Sequence, residues 1–267
     1  MIGNIQKFKP KVVFDQIEAV LFDCDGVLWH GNNLVDGTIG LIKKLRELKK
    51  RYFFVTNSSN KSRQDILDKF KKLGVDGITG EDVITSSLAT AFYLKESGYG
   101  PHSDKTAFVI AESGVCDELD NAGIKWIGGQ SFNAKETPCV ETGMFHDANP
   151  NVSAVVVGVD RQINYYKLNY AQHYINKCGA EFVATNPDAT GHAFCAHEEW
   201  AAAALFVGAL RGSCPKAHVT LVGKPAGIMI DYAAKQLGIQ DRQKMLMVGD
   251  RLDTDIAFGK NHGMRTC

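Results

Sequence analysis

Short, uninterrupted apolar runs separated by amphipathic stretches organise this chain. The runs at residues 19–22, 52–56, 83–85, 107–111, 152–159, 181–185, 219–223 and 245–249 are continuous rather than alternating. Parallel strands covered on both faces require that pattern. Between them, residues 39–50, 62–73 and 228–237 carry apolar side chains at helical spacing. Ser62 with Asp65 makes a capping-box signature, and Gly74 and Gly238 stand where helix C-caps belong. The rhythm predicts a doubly wound parallel α/β sheet, with no internal repeat or low-complexity linker.

In such sheets the ligand crevice lies beyond the carboxyl ends of the strands. Four runs deliver polar residues there: Asp23-Cys24-Asp25-Gly26, Thr56-Asn57-Ser58-Ser59, Lys224-Pro225, and Asp250 through Asp255. Residues two apart on a strand point to one face, so Asp23 and Asp25 are expected to address one point in space. Carboxylates that close repel unless a cation or a proton is shared between them. Alone, the pair is explained equally well as a chance Asp-x-Asp on a solvated turn, whereas a calcium loop fails on the position of its glycine. Four such strand ends together point to phosphoryl chemistry. Thr56 offers a hydroxyl donor, Lys224 a point charge, and Asp250 with Asp255 hard oxygen ligands for Mg²⁺. Asp23 is then the candidate nucleophile and Asp25 the candidate general acid and base.

Asp23-Cys24-Asp25-Gly26-Val27-Leu28-Trp29, Thr56-Asn57-Ser58-Ser59, Val222-Gly223-Lys224-Pro225 and Gly249 through Asp255 resemble, in order, the four motifs of the haloacid dehalogenase superfamily. The likeness is greatest to its 4-nitrophenylphosphatase, phosphoglycolate phosphatase and pyridoxal phosphate phosphatase branch. That resemblance implies a Rossmann-like core with an inserted α/β cap, and Mg²⁺ held by Asp23, the Asp25 backbone carbonyl and Asp250, with Asp255 in support. It also implies that Thr56, Asn57 and Lys224 hold the phosphoryl group. The expected division is core over residues 1–86, cap over 87–190 and core again over 191–267. Within the cap, strands are expected at 107–111, 124–127 and 152–159 and helices at 115–122 and 164–177. Asn186 and Asp188, on the return from cap to core, are candidates to face the substrate, and turn formation accounts for Asn-Pro-Asp equally well. Residues 263–267 read as the start of a strand, which the resembled family would extend and follow with a helix.

The expected activity is hydrolysis of a small phosphate monoester of the 2-phosphoglycolate, pyridoxal phosphate or 4-nitrophenyl phosphate type, through an aspartyl phosphate. Phosphoryl transfer to an alcohol and a non-catalytic scaffold are the alternatives. Thirty basic residues balance thirty acidic ones, so no global field recruits nucleic acid or a membrane. The basic residues crowded between Lys43 and Lys72 alternate with apolar ones at helical spacing and read as solvated helix faces. Tyr165, Tyr166, Tyr170 and Tyr174 likewise read as parts of an amphipathic cap helix rather than a stacking platform. Seven cysteines without repeated spacing suit free thiols in a reducing, cytoplasmic setting, and residues 192–197 lack the paired spacing of a zinc site. The resemblance makes a homodimer through the cap an expectation.

Overall fold

Two parallel five-stranded sheets carry the chain. The computed structural model describes residues 14–137, 143, 145–191 and 198–267; residues 192–197, weighed above for zinc, fall outside them. In chain order the elements begin with β1 (Ala19–Phe22), a hairpin of β2 (Trp29–His30) and β3 (Asn33–Leu34), α1 (Thr38–Glu47), β4 (Arg51–Thr56), α2 (Arg63–Lys72) and β5 (Val83–Thr85). There follow α3 (Ser86–Glu96), β6 (Thr106–Ile110), α4 (Ser113–Asn121), β7 (Trp126–Gly128), β8 (Val152–Val157), α5 (Tyr165–Asn176) and β9 (Glu181–Ala184). The chain continues through a second hairpin of β10 (Thr190–Gly191) and β11 (Trp200–Ala201), then α6 (Ala203–Ser213), β12 (Val219–Leu221) and α7 (Ile228–Leu237). It closes with β13 (Met245–Val248), α8 (Ala257–Asn261) and β14 (Arg265–Thr266).

The first sheet has the order β14-β13-β1-β4-β5 and the second β12-β9-β8-β6-β7. All their pairings are parallel. Their strands are apolar along their length because both faces are covered. One face of the first sheet packs Val20, Phe22 and Phe54 against α1, α2 and Trp29. Its other face shares a single core with the second sheet: Leu21, Val55 and Ile84 join Val109, Val156 and Val183 through residues of α3, α4 and α7. The far face of the second sheet, with Phe108, Val155 and Phe182, is covered by Tyr166, Tyr170 and Tyr174 of α5 and Phe206 and Leu210 of α6. The tyrosines are therefore core, as the helical spacing of the sequence implied, with Tyr165 alone left exposed.

Local signals placed the helices well. Ser62 caps α2, accepting from the Asp65 N–H while the Asp65 carboxylate accepts from the Ser62 N–H at 2.8 Å. Gly238 closes α7 in the left-handed conformation. β12 pairs with β9, and α6 packs with α5, so residues 203–221 lie on the second sheet. An edge strand's partner is chosen by non-local pairing, which apolar content alone does not encode.

Candidate active site

Register gathers the strand ends. Phe22 of β1 lies beside Val248 of β13 and Phe54 of β4, so the residues just beyond them emerge together. The Asp23 N–H donates to Val248 O at 2.9 Å, extending the ladder one residue past β1. After β13 the chain makes a wide turn over Leu252–Ile256, in which the N–H groups of Asp255 and Ile256 both donate to Arg251 O. That turn folds the Asp255 side chain back over Gly249, where a Cβ would stand 2.1 Å from the Asp255 Cβ. Gly26 solves the same problem on the other side. It has φ +93°, and a Cβ there would lie 2.3 Å from Asp250 Oδ2.

The second sheet supplies the cation. Gly223 N–H donates to Thr185 O at 2.7 Å, carrying the β12–β9 pairing forward, and Lys224 then reaches over the ends of the first sheet. Its ammonium donates to Asp23 Oδ1 at 2.5 Å, Asp255 Oδ1 at 2.7 Å and Val55 O at 3.2 Å. Asn57 is the pivot. Its side chain accepts from the Lys224 N–H at 2.8 Å and donates to Lys224 O at 3.0 Å, while its own carbonyl accepts from Asn186 Nδ2 at 2.8 Å. Thr56 is buried beside it and accepts from the Ser58 N–H at 3.2 Å.

Electrostatics follow from burial. Asp23 is 9% exposed, Lys224 3% and Asp255 1%. Burial pushes the Asp23 carboxyl up from 3.8 to about 6, with Lys224 pulling it down and Asp255 pushing it further up. Burial alone would lower the Lys224 ammonium, but the Asp23 and Asp255 carboxylates outweigh it and hold its pKa above the ordinary value. Carboxylate oxygens of Asp23, Asp250 and Asp255 lie within 4.8 Å of one another. Asp255 spends both oxygens, on Lys224 and on the Arg251 N–H, whereas exposed Asp250 makes no hydrogen bond among the described residues. An all-carboxylate donor set with one open member is the hard-oxygen environment that Mg²⁺ takes, so these residues fit such an ion.

Asp25 stands apart from this cluster. β1 ends at Phe22 and the chain turns at Gly26, and the carboxylates within 4.8 Å of one another are those of Asp23, Asp250 and Asp255, without Asp25. Asp25 Oδ1 instead accepts from Trp29 Nε1 at 2.8 Å and lies 3.5 Å from the Lys69 ammonium. The structure thus brings Asp23, Thr56, Asn57, Lys224, Asp250 and Asp255 together and turns the Asp25 carboxylate to their flank. Asn186 is buried, and its side chain is spent on Asn57 O, Thr185 Oγ1 and the Asp188 N–H, so it buttresses the Asn57 loop rather than facing a ligand. Asp188, half-buried, pairs with Arg251 at 3.2 Å, and burial raises its pKa against the pull of that guanidinium.

Sequence reasoning passed over Arg251, Trp29 and Lys69. Lys69 had a signal: with Ile66, Phe70 and Leu73 it completes an i, i+3, i+4, i+7 stripe, so it lies on the packed side of α2 and not among its solvated lysines.

A haloacid dehalogenase-like hydrolase family model matches residues 20–125, and a second, HAD-hydrolase-like model matches residues 221–267. The chain is 42% identical to phosphoglycolate phosphatase 2 of Arabidopsis thaliana over 258 residues, covering 96% of this chain and 83% of that one. It is 33% identical to the 4-nitrophenylphosphatase of Schizosaccharomyces pombe, over 95% of this chain and 83% of the relative. Among solved structures, the 4-nitrophenylphosphatase of Thermotoga maritima superposes with a TM-score of 0.77 at 27% identity, over 95% of this chain and 86% of that one.

Proposed function

This chain belongs to the haloacid dehalogenase-like hydrolase family, and we propose that it is a phosphatase that hydrolyses small phosphate monoesters through an aspartyl phosphate on Asp23. The observation that carries this reading is the Lys224 ammonium held between Asp23 and Asp255, with Asp250 completing the carboxylate cluster at the ends of β1 and β13. A phosphoryl group needs an in-line nucleophile with cationic and hydrogen-bonding groups around its oxygens. Asp23 is the nucleophile, and Lys224 and the Thr56–Asn57 loop are the groups that receive the oxygens.

In the first half of the reaction the Asp23 oxygen bonds to phosphorus while the ester P–O bond breaks. The electron pair leaves on the alcohol oxygen, which takes a proton from the Asp25 carboxyl. In the second half Asp25 takes a proton from water as the water oxygen bonds to phosphorus, and the Asp23–phosphorus bond breaks to free phosphate and carboxylate. Asp23, Asp250 and the Asp25 backbone carbonyl would hold Mg²⁺, with Asp255 holding Lys224 and the Gly249 turn around them. The ion would supply positive charge that offsets the repulsion between Asp23 and a phosphate dianion.

The names of the relatives make 2-phosphoglycolate the first substrate to try and 4-nitrophenyl phosphate the second. The test is phosphate release from both, with Mg²⁺ and with EDTA, by the protein and by Asp23→Asn. Hydrolysis that needs Mg²⁺ and disappears in the folded variant supports the assignment. Turnover by Asp23→Asn within tenfold of the unmodified protein would remove Asp23 from its role.

A further inference from the structure

We propose that Trp29 and Lys69 are positioning residues that set where the Asp25 carboxylate stands, and so favour substrates whose leaving alcohol needs a proton. The inference rests on the phosphatase reading above. Both groups converge on one atom. Trp29 Nε1 donates to Asp25 Oδ1 at 2.8 Å, and the Lys69 ammonium lies 3.5 Å from the same oxygen while standing 4.2 Å from the centroid of the Trp29 ring. Oδ2 carries no hydrogen bond among the described residues. One oxygen of the carboxyl is therefore held, and the other is left to carry the proton toward whatever enters beside Asp23.

The donors are fixed. The Trp29 side chain is fully buried, with its ring edge-on to Phe70 at 4.9 Å. Its carbonyl accepts from the Gly26 N–H at 2.8 Å, so the loop leaving β1 is pinned to the residue that also supplies the indole donor. Lys69 projects from the packed stripe of α2, and its side chain is only 15% exposed, whereas that of Asp25 is 64% exposed. Stability alone gives little reason for this arrangement, because burying an ammonium is costly and a pair with a solvated carboxylate returns little. The ring face offsets part of that cost. The net product is an orientation for Asp25 rather than strength for the fold.

The test uses the full chain with Mg²⁺ and two esters. A 4-nitrophenolate leaves without protonation, whereas the alkoxide of 2-phosphoglycolate does not. Lys69→Met and Trp29→Phe should each lower kcat for 2-phosphoglycolate about tenfold or more, lower kcat for 4-nitrophenyl phosphate less than about threefold, and leave KM near its original value for both. Lys69→Arg should recover part of the loss. Trp29 lies in the core, so Lys69→Met carries the test alone should Trp29→Phe fail to fold. Equal losses on the two esters, or a change confined to KM or to Tm, overturn the proposal while leaving the phosphatase reading intact. No hydrolysis of either ester by the unmodified protein removes both.

Discussion

Replacing Lys224 by methionine tests the electrostatic account of the site directly. Methionine has nearly the length of lysine and fills the same channel, so the variant removes charge rather than volume. It strands the carboxylates of Asp23 and Asp255, which are 9% and 1% exposed, with no cation between them. Removing one partner of a buried pair costs about 3–5 kcal/mol. For a chain of this size that lowers Tm by roughly 10 °C. The pH dependence separates this cause from simple mispacking. Even with Lys224 present, the Asp23 carboxyl is raised from 3.8 to about 6. An acid whose folded pKa is raised holds its proton more tightly in the native state, so its contribution to stability falls as pH climbs from the unfolded toward the folded value. Without Lys224 that folded value rises further. Below pH 6 both proteins keep Asp23 protonated, so the share of the deficit that Asp23 causes should close; above it that share should open. Thermal unfolding of the metal-free proteins across pH 5 to 8.5 measures it. A deficit that is absent at pH 8, or of the same size at pH 5, would refute the idea that Lys224 is there to compensate buried carboxylate charge.

Three further outcomes follow from the same structure. Mg²⁺ should raise Tm in the unmodified protein, by about 2.7 kcal/mol of stabilisation at a hundredfold excess over its Kd. The effect should fade below about pH 6, where Asp23 takes up a proton, and should vanish in Asp250→Asn, as thermal shift with and without EDTA will show. Arg63→Met leaves Glu118, 2% exposed and bound by the Arg63 guanidinium through two contacts of 3.0 Å, without its counter-charge; a loss of about 3 kcal/mol in denaturant unfolding is expected. Gly208→Ala, at an exposed position inside α6 where a new Cβ meets nothing within 4 Å, should stabilise the protein by about 0.5–1 kcal/mol and leave kcat unchanged.

The strands were legible because burial on both faces writes them as continuous apolar runs, and their carboxyl ends because polar residues interrupt those runs abruptly. Asp23, Thr56, Lys224 and Asp250 were found by that break alone. Three features were not read, each for a physical reason. The orientation of Asp25 depends on where β1 stops, and one residue of strand more or less reverses the face of a side chain. The pairing of Val219–Leu221 with β9 is a contact across 34 residues of intervening chain, between Ala184 and Val219, and apolar content does not choose between two sheets. Lys69 reads as solvated because charge usually outweighs its place in a helical stripe, a rule that fails where an aromatic face and a carboxylate receive the ammonium.

The pairing of β12 with β9 decides how the site must be understood. If β12 belonged to the first sheet, one sheet would carry nucleophile, metal ligands and cation together, and the second would be a cover. Instead Lys224 arrives from the edge of the second sheet, locked to Asn57 by reciprocal side-chain hydrogen bonds of 2.8 and 3.0 Å. Asn186, from the neighbouring strand of that same sheet, grips the Asn57 carbonyl. The shared core of Leu21, Val55, Val109 and Val183 fixes the distance across which the lysine reaches. Asp23 therefore meets its counter-charge only when the two sheets are docked. A destabilised seam should cost activity before it costs secondary structure, because the carboxylates of the first sheet are then left buried without Lys224. Arg63→Met gives the comparison: its activity should be lost at a lower denaturant concentration than its far-ultraviolet circular dichroism. Coincident transitions would mean that the sheets dock and unfold as one unit.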